Sequence, residues 1–581
     1  MSKTDINPIT AEIIRHSLQA IPKQIELNIT RTAYSPLVFE FKDYAVGIVD
    51  PEGRLISESG GGIPLFVADA LGVGVRDGLA VHGRDGIRPG DVLISNHAGT
   101  MGQHLNNVIM YTPVFVDAEL VAFMAVIVHW IDIGGWAVGS AAAVGTTDIF
   151  QEGMQFRSVK LWSDGKPVAD MYRTIELNSR FPRMLMGDIE SQLAGCLLGR
   201  DMIAELVRKY SLPTLRAAVE LTWHRSEMAA REAIRRIPDG TYEASSFLDD
   251  DNLELGKPVP IRVVVRVRGD EMTVDLSGVA DQVKGSINSG RFGGATTAAR
   301  IAFKYLCAPH EPSNDGSYRP LHVEIPDGKF LSASGRAAMS MYSPPLPTVI
   351  DTILRAMEPA LPQHVAGGHH ANFGSHVFEG RHPDSGELFL ALLGTHSGWG
   401  ASAGHDGPGP YKTMAHGDTL DVPIEAIEQL YPLRFEHYEV RPDSAGAGQF
   451  RGGTGYEKVI RALAPCTAQL NFDRAGCAPW GIQGGADGAV PITTIERPGT
   501  SPERKMKASV DLQAGDRLRV LSSGGGGYGT SNLREPERVA LDVKRGYVSV
   551  EGARRDYAVA LDARGELLPG ETSALRGRNG S

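Results

Sequence analysis

Two long apolar runs, Val108 to Val116 and Leu120 to His129, follow each other almost directly in this chain. Both are dense in β-branched residues and read as strands buried on both faces. Whatever flanks them must therefore lie on neighbouring strand ends. Before the first run stands Gly102-Gln103-His104-Leu105-Asn106-Asn107, and the second runs into Val128-His129-Trp130-Ile131-Asp132-Ile133-Gly134-Gly135. Two histidines and several oxygen-bearing side chains are thus gathered in one compact segment. Imidazole suits zinc, iron and nickel, and carboxylate or amide oxygens widen the choice toward manganese.

A chain of 581 residues exceeds one simple core, so several packed units are expected. Three are predicted: an N-terminal α/β unit over 1–238 carrying the metal site, a middle α+β unit over 239–435 with Gly- and His-rich loops, and a β-rich unit over 436–581 with a terminal helix. The fold class is α+β, a multi-unit mixed α/β chain with β-rich middle and C-terminal portions. The net charge of −11 argues against nucleic-acid binding, which needs a basic stripe to release counterions. The four cysteines include no CxxC pair and fit reduced thiols of a cytoplasmic protein. No secretory signal and no apolar run of membrane-spanning length is visible, so no membrane partner is expected.

Ile9 to Arg31 shows helical apolar spacing, with Pro22 as a possible kink. Ala45 to Ile56 reads as a hairpin around Asp50-Pro51-Glu52-Gly53. Pro64 to Val81 reads as a helix, and a longer helical stretch runs from Ile189 to Ile237 with a break at Pro213. From Gly240 the pattern switches to period two. Gly367 to Asp421 lacks periodicity and reads as loops over a site or an interface. The tail from Leu575 reads as frayed.

A catalytic metal needs about three protein ligands and one open position. His104, His129 and a carboxylate from Asp43 or Asp132 meet that count, with Asn107 three residues beyond His104. A divalent ion here makes a nucleophile of water near neutral pH or polarises a carbonyl. Asp132, three residues after His129, is a candidate acceptor for the imidazole N–H. Glu152 is a candidate general base, with a capping or solvated carboxylate as its alternative. For the histidines the alternative is a loop residue at 104 and a satisfied core residue at 129.

Other motifs carry less. Cys307 near His310 is a candidate nucleophilic thiol, with an inert buried cysteine as its alternative. His369, His370, His396 and His405 fall in the glycine-rich loops, as channel or cation-site residues or as surface residues. Asp473 and Arg474 read as an ion pair, and Trp480 as a packed residue. The run Gly524-Gly525-Gly526-Gly527-Tyr528-Gly529 has no following lysine or helix and reads as a turn, with a phosphate cradle as the alternative.

The chain resembles the hydantoinase B / 5-oxoprolinase B-type family, which is related to acetone and acetophenone carboxylase subunits. The resemblance covers nearly the whole length. It is carried by Asn7-Pro8-Ile9-Thr10, Arg31 to Pro36, Lys42 to Ala45, Asn96, Gly102 to Asn107 and His129 to Gly135. It continues through Asp148 to Gly153, Asn178 to Arg183, Gly187 to Gln192, Asn314 to Pro320, Asp443 to Gly446, Arg451 to Gly455 and the terminal glycine run. It implies the metal-bearing half of a two-component, ATP-dependent cytoplasmic enzyme. An A-type, actin-like partner would hold ATP and Mg and phosphorylate a carbonyl or enolate oxygen, and this chain would then open a cyclic amide. A ketone carboxylase subunit is the alternative, and a purely structural partner subunit a third reading. The implied ligands to a divalent ion (Zn, Mn or Fe) are Asp43, His104, Asn107 and His129, with Glu152 and Asp132 as catalytic residues. Two positions depart from the family pattern. Asn107 stands where the motif usually ends in aspartate, and Trp130 stands where a second histidine often follows the first.

Overall fold

In a computed structural model, residues 6–67, 70–140, 144–310, 312–417 and 419–578 are described. The fold is mixed α+β. The chain divides into two compact units, and both are assembled from separated segments. The first takes Met1–Thr241, Val263–Leu346 and Ala415–Val422, and the second takes Tyr242–Arg262, Pro347–Met414 and Pro423–Ser581. The expected middle unit over 239–435 does not stand alone, because its residues are shared between these two. Among the described residues no helix is long and apolar enough to cross a membrane.

The first unit is built on a seven-stranded sheet: β1 (Tyr44–Val49), β2 (Leu55–Glu58), β3 (Val92–Ser95), β4 (Asn107–Val116), β5 (Glu119–His129), β6 (Val159–Ser163) and β7 (Lys166–Pro167). Its order is β2-β1-β5-β4-β3-β6-β7, antiparallel throughout. Both faces are covered, as the β-branched runs predict. Gln192 of the helix Pro182–Tyr210 donates to the Val108 and Val126 carbonyls, and Cys196 of the same helix reaches Met110. A Cβ at Gly199 would strike Met124. On the opposite face the helix Ala70–His82 lies so close that a Cβ at Gly74 would meet Ile109 and one at Gly78 would meet Tyr111. Even positions of β4 thus face one helix and odd positions the other, the period of two that a strand imposes.

The predicted helix near the N-terminus is Pro8–Thr32, capped by Asn7 and unbroken through Pro22. The long helical stretch is two helices, Pro182–Tyr210 and Leu212–Arg235, and the chain turns at Ser211 (φ +69°). Pro213 sits in the first turn of the second helix, where its missing N–H costs nothing. In the same unit Glu271–Asp275 pairs antiparallel with 264–268 and parallel with Leu321–Glu324.

The second unit holds two sheets. One runs Leu388–Leu393, Ser375–Arg381, Cys466–Asn471, Lys507–Leu512; the other Leu433–Arg441, Gly455–Ala462, Arg517–Leu521, Ile492–Glu496, Glu503–Arg504. Two of these strands lie inside the stretch 367–421 that sequence reads as loops. The terminal glycine run is neither a turn nor a phosphate cradle. It threads the unit, and every N–H from Gly524 to Gly529 donates to a backbone carbonyl: Ala489, Gly453, Gly368, Ala486, Phe450 and Ile482 in turn. A Cβ at Gly524, Gly525, Gly526 or Gly527 would lie 1.8, 1.9, 1.9 or 2.3 Å from the carbonyl oxygen of Ser444, Trp399, Trp480 or Ala447. Contact passes to a new neighbouring segment at each residue and returns to the first after three. That is the periodicity of an extended three-residue helix. The tail past Leu575 is helical to Arg578, within Pro569–Arg578.

Candidate functional site

The register of three strands lines up the predicted residues. Asn107 opens β4 and stands opposite His129 at the end of β5. Tyr44 stands opposite Val128, so Asp43 comes beside His129, and the His129 N–H donates to the Asp43 carbonyl at 3.0 Å. Odd positions of β4 face the helix Ala70–His82, so Asn107 and its partner His129 open on that side. Gly102, at φ +67° and against Gly290, ends a short helix and turns the chain into Gln103 and His104. The His104 carbonyl then accepts from Asn107 N–H at 3.2 Å, which bends the His104 ring back over Asn107.

Asp43, His104, Asn107 and His129 lie side by side at these strand ends. The His104 and His129 rings stand edge to face, 4.8 Å between centroids. His104 Nε2 lies 2.8 Å from Asn107 Oδ1, and His129 Nδ1 lies 3.8 Å from Asp43 Oδ2. Burial lowers the His104 pKa to about 4; it also holds His129 well below its usual value, helped by the His104 ring. Both imidazoles are therefore neutral, the form that binds metal. Tyr342 completes the pocket. Its ring lies 4.9 Å from His104, its hydroxyl oxygen accepts from Asn107 Nδ2 at 2.9 Å, and burial with the Asp43 charge raises its pKa far above normal.

The donor set fits a divalent cation on one specific ground. Neutral His104 has one ring proton but two acceptor neighbours, the Ser340 carbonyl at 3.3 Å from Nδ1 and Asn107 Oδ1 at 2.8 Å from Nε2. Metal-bound histidines usually give their other N–H to such a carbonyl. With the proton on Nε2 the 2.8 Å contact is a hydrogen bond; with it on Nδ1, given to Ser340, the lone pairs of Nε2 and Oδ1 face each other, the arrangement a shared cation would need. Two ligands about 2.1 Å from one tetrahedral ion stand roughly 3.4 Å apart, wider than the 2.8 Å between Nε2 and Oδ1. Among the described residues no three His, Cys, Asp or Glu side chains come together closely enough to hold a metal ion. Asp43, His104 and His129 therefore do not form a closed set by themselves, and the Asn107 amide is the remaining donor beside them.

The two further candidates sit behind the pocket. Asp132 is fully buried, and its oxygens accept from Arg180 N, Nε and Nη2, from Gly139 N and from Ser140 Oγ. It braces the turn after β5 and makes no hydrogen bond to His129, whose side-chain neighbour is Asp43. Glu152 accepts from Met339 N–H at 2.5 Å, and burial pushes its pKa up to about 8. The backbone of Leu105 and Ser340 also faces it. Mostly protonated near neutrality, it ties down the two backbone segments that carry His104 and its carbonyl partner, rather than standing ready as a base. Trp130, on the opposite strand face, donates to Gln192 Oε1 at 3.1 Å and anchors the long helix.

In the second unit His369 and His370 are buried, not surface residues. His369 Nδ1 bonds Asp351 at 2.7 Å, while His370 lies between the Asn372 and Tyr411 carbonyls at 3.1 and 3.0 Å. His396 is half-buried and His405 exposed. Asp473 pairs with Lys507 at 2.7 Å instead of Arg474, whose guanidinium lies 3.7 Å from Asp351. Trp480 is buried between Arg355 and Arg474, each 4.7 Å from its ring. Burial pushes the Cys307 thiol up to about 12, which removes it as a nucleophile.

Comparison with known proteins gives the chain its relatives. The B-type subunit of a putative D-/L-hydantoinase from Pseudomonas sp. (strain NS671) is 29% identical over 98% of both chains. The crystal structure of the ATP-dependent caprolactamase from Pseudomonas jessenii superposes with a TM-score of 0.89 at 27% identity, over 99% of this chain and 100% of that one. A nucleotide-free acetone carboxylase shares the fold, with TM-score 0.89 at 20% identity over 99% of this chain and 83% of that one. Residues 7–531, which include every side chain of the pocket, match Hydantoinase B/oxoprolinase. The chain belongs to the hydantoinase B/oxoprolinase family.

Proposed function

We propose that this chain is the B-type subunit of an ATP-dependent amidohydrolase that opens a cyclic amide: a hydantoin, imide or lactam. An A-type partner holding ATP and Mg phosphorylates the carbonyl oxygen and makes its carbon electrophilic. A divalent ion (Zn, Mn or Fe) held by Asp43, His104, Asn107 and His129 would supply Lewis acidity and a water nucleophile near neutral pH. The observation that carries this reading is the contact of His104 Nε2 with Asn107 Oδ1 at 2.8 Å beside a second neutral imidazole. The relatives named as a hydantoinase component and a caprolactamase support the substrate class and a multi-subunit assembly.

The protein's own residues divide the work. His104 keeps part of its surface open to the pocket, whereas His129 and Asn107 are buried. Asp43 supplies the negative charge. Tyr342 and Trp130 exclude water from the two sides of the strand ends, which strengthens every charge interaction there. Asp132 and Glu152 hold the supporting backbone.

The test is co-purification with the A-type partner, followed by a screen of cyclic amides and ketones with ATP. Ring opening independent of bicarbonate is the expected result. ATP hydrolysis driven by a ketone and dependent on bicarbonate would instead establish a carboxylase, a chemistry hosted by the same fold in acetone carboxylase. A complex that turns over without metal would overturn the proposed centre.

A further inference from the structure

We infer that Gln103 and Tyr342 are positioning residues that lock the Asn107 amide, and that they make asparagine, not aspartate, the matched residue at position 107. The inference rests on reading the pocket as a divalent-metal centre and adds what decides the ligand at one corner of it.

The polarity of the hydrogen-bond chain is set at a group that cannot reverse. The Leu65 backbone carbonyl only accepts, and Gln103 Nε2 donates to it at 3.3 Å. Gln103 Oε1 must then face the other way, where Asn107 Nδ2 donates to it at 3.2 Å. The second amide hydrogen of Asn107 goes to the Tyr342 hydroxyl oxygen at 2.9 Å. Both hydrogens are committed, so Oδ1 points at His104 Nε2. Gln103, Asn107 and Tyr342 are each about 1% exposed, which leaves no solvent to accommodate a reversed amide. An aspartate here would set a carboxylate oxygen against Gln103 Oε1 at the spacing of a hydrogen bond with no hydrogen in it. Tyr342 could turn its O–H to donate. Gln103 could turn only by abandoning Leu65. In a buried site such a mismatch is costly, so the extra negative charge of aspartate should weaken metal binding instead of strengthening it.

The experiment titrates the metal-depleted protein with Zn(II), Mn(II) and Co(II) by calorimetry, and records the cobalt absorption spectrum. Asn107→Asp is expected to bind about tenfold or more weakly than the unsubstituted chain, within the usual cost of disturbing an outer-shell partner. Tyr342→Phe should bind several-fold more weakly, with a shifted cobalt spectrum. In a Gln103→Met background the penalty of Asn107→Asp should shrink, since no oxygen then opposes the carboxylate. Equal or tighter binding by Asn107→Asp, or the same penalty in both backgrounds, overturns the inference. Should Asn107→Asp fail to fold, unchanged affinity and spectrum in both Tyr342→Phe and Gln103→Met overturn it equally. Failure of the underlying metal reading shows separately, as an unsubstituted chain that binds none of the three ions.

Discussion

Two buried regions of this molecule are specified by opposite means. At the ends of β4 and β5, side chains decide everything: strand register sets Asn107 opposite His129, and four polar groups meet across distances of 2.8 to 4.8 Å. In the second unit the glycine-threaded core is specified by missing side chains. Backbone meets backbone there, so closely that a single methyl group has no room. The first region can lose a side chain and keep its fold, because a sheet of seven strands holds the frame. The second can lose chemistry without harm but cannot accept one added carbon. Chemistry and architecture are thus vulnerable to different substitutions, and each kind of substitution tests the contrast.

The largest effect is expected from Gly526→Ala. The new Cβ would lie 1.9 Å from the Trp480 carbonyl oxygen, and Gly526 N–H and C=O bond the Gly368 carbonyl and the Ala401 N–H of neighbouring segments. Neither side is a flexible side chain that can swing away. A loss of about 4 kcal/mol or more, the exceptional end of single-residue effects, should appear in chemical denaturation as early unfolding of the second unit. Wild-type-like stability would mean that this core yields, and the contrast with the strand-end pocket would fail.

Next come His104→Ala and His129→Ala. Each removes a nitrogen donor from the proposed centre while the sheet and its two covering helices remain. Turnover with the A-type partner should fall below detection, assembly should persist, and stability should change by only about 1 kcal/mol. Metal content of the purified variants checks the cause. Full activity in both would break the link between this pocket and the reaction.

The same contrast explains which parts of the chain sequence alone could reveal. Burial on both faces of β4 and β5 leaves two unbroken β-branched apolar runs, so the strands, their shared end and the clustering of Asp43, His104, Asn107 and His129 there were legible. Tyr342 was not, because it lies 235 residues from Asn107 and carries no motif. Asp132 was legible as a carboxylate close to the strand end but not in its role: a carboxylate three residues past a histidine can face the ring or the next turn, and Arg180 draws it to the turn. Glycine-rich segments give no periodicity, since there is no side chain to alternate. The run 524–529 therefore read as a turn, and the strands Ser375–Arg381 and Leu388–Leu393 were hidden among glycine and histidine. His369 and His370 read as surface residues for the same reason.

Glu152 lies between the two modes of construction, a side chain whose work is to hold backbone. Burial raises its pKa from the ordinary carboxylate range to about 8, whereas the unfolded chain titrates near 4.3. Between these values the folded protein binds more protons than the unfolded one. Its contribution to stability is therefore fully present below about pH 4.3 and is lost as pH rises through about 8, by up to roughly 1.4 kcal/mol per pH unit within that window. Glu152→Gln keeps an acceptor for the Met339 N–H and removes the titration. Metal-free variant and wild type should be similarly stable near pH 5, and the variant should be more stable at pH 8 to 9. His104 and His129 carry the opposite dependence, since their lowered pKa values cost stability as pH falls below about 6.5. They are common to both proteins, so the difference between the two denaturation curves isolates Glu152. Parallel curves from pH 5 to 9 would place its carboxyl in contact with water, and the segment carrying His104 would then owe its position to the sheet alone.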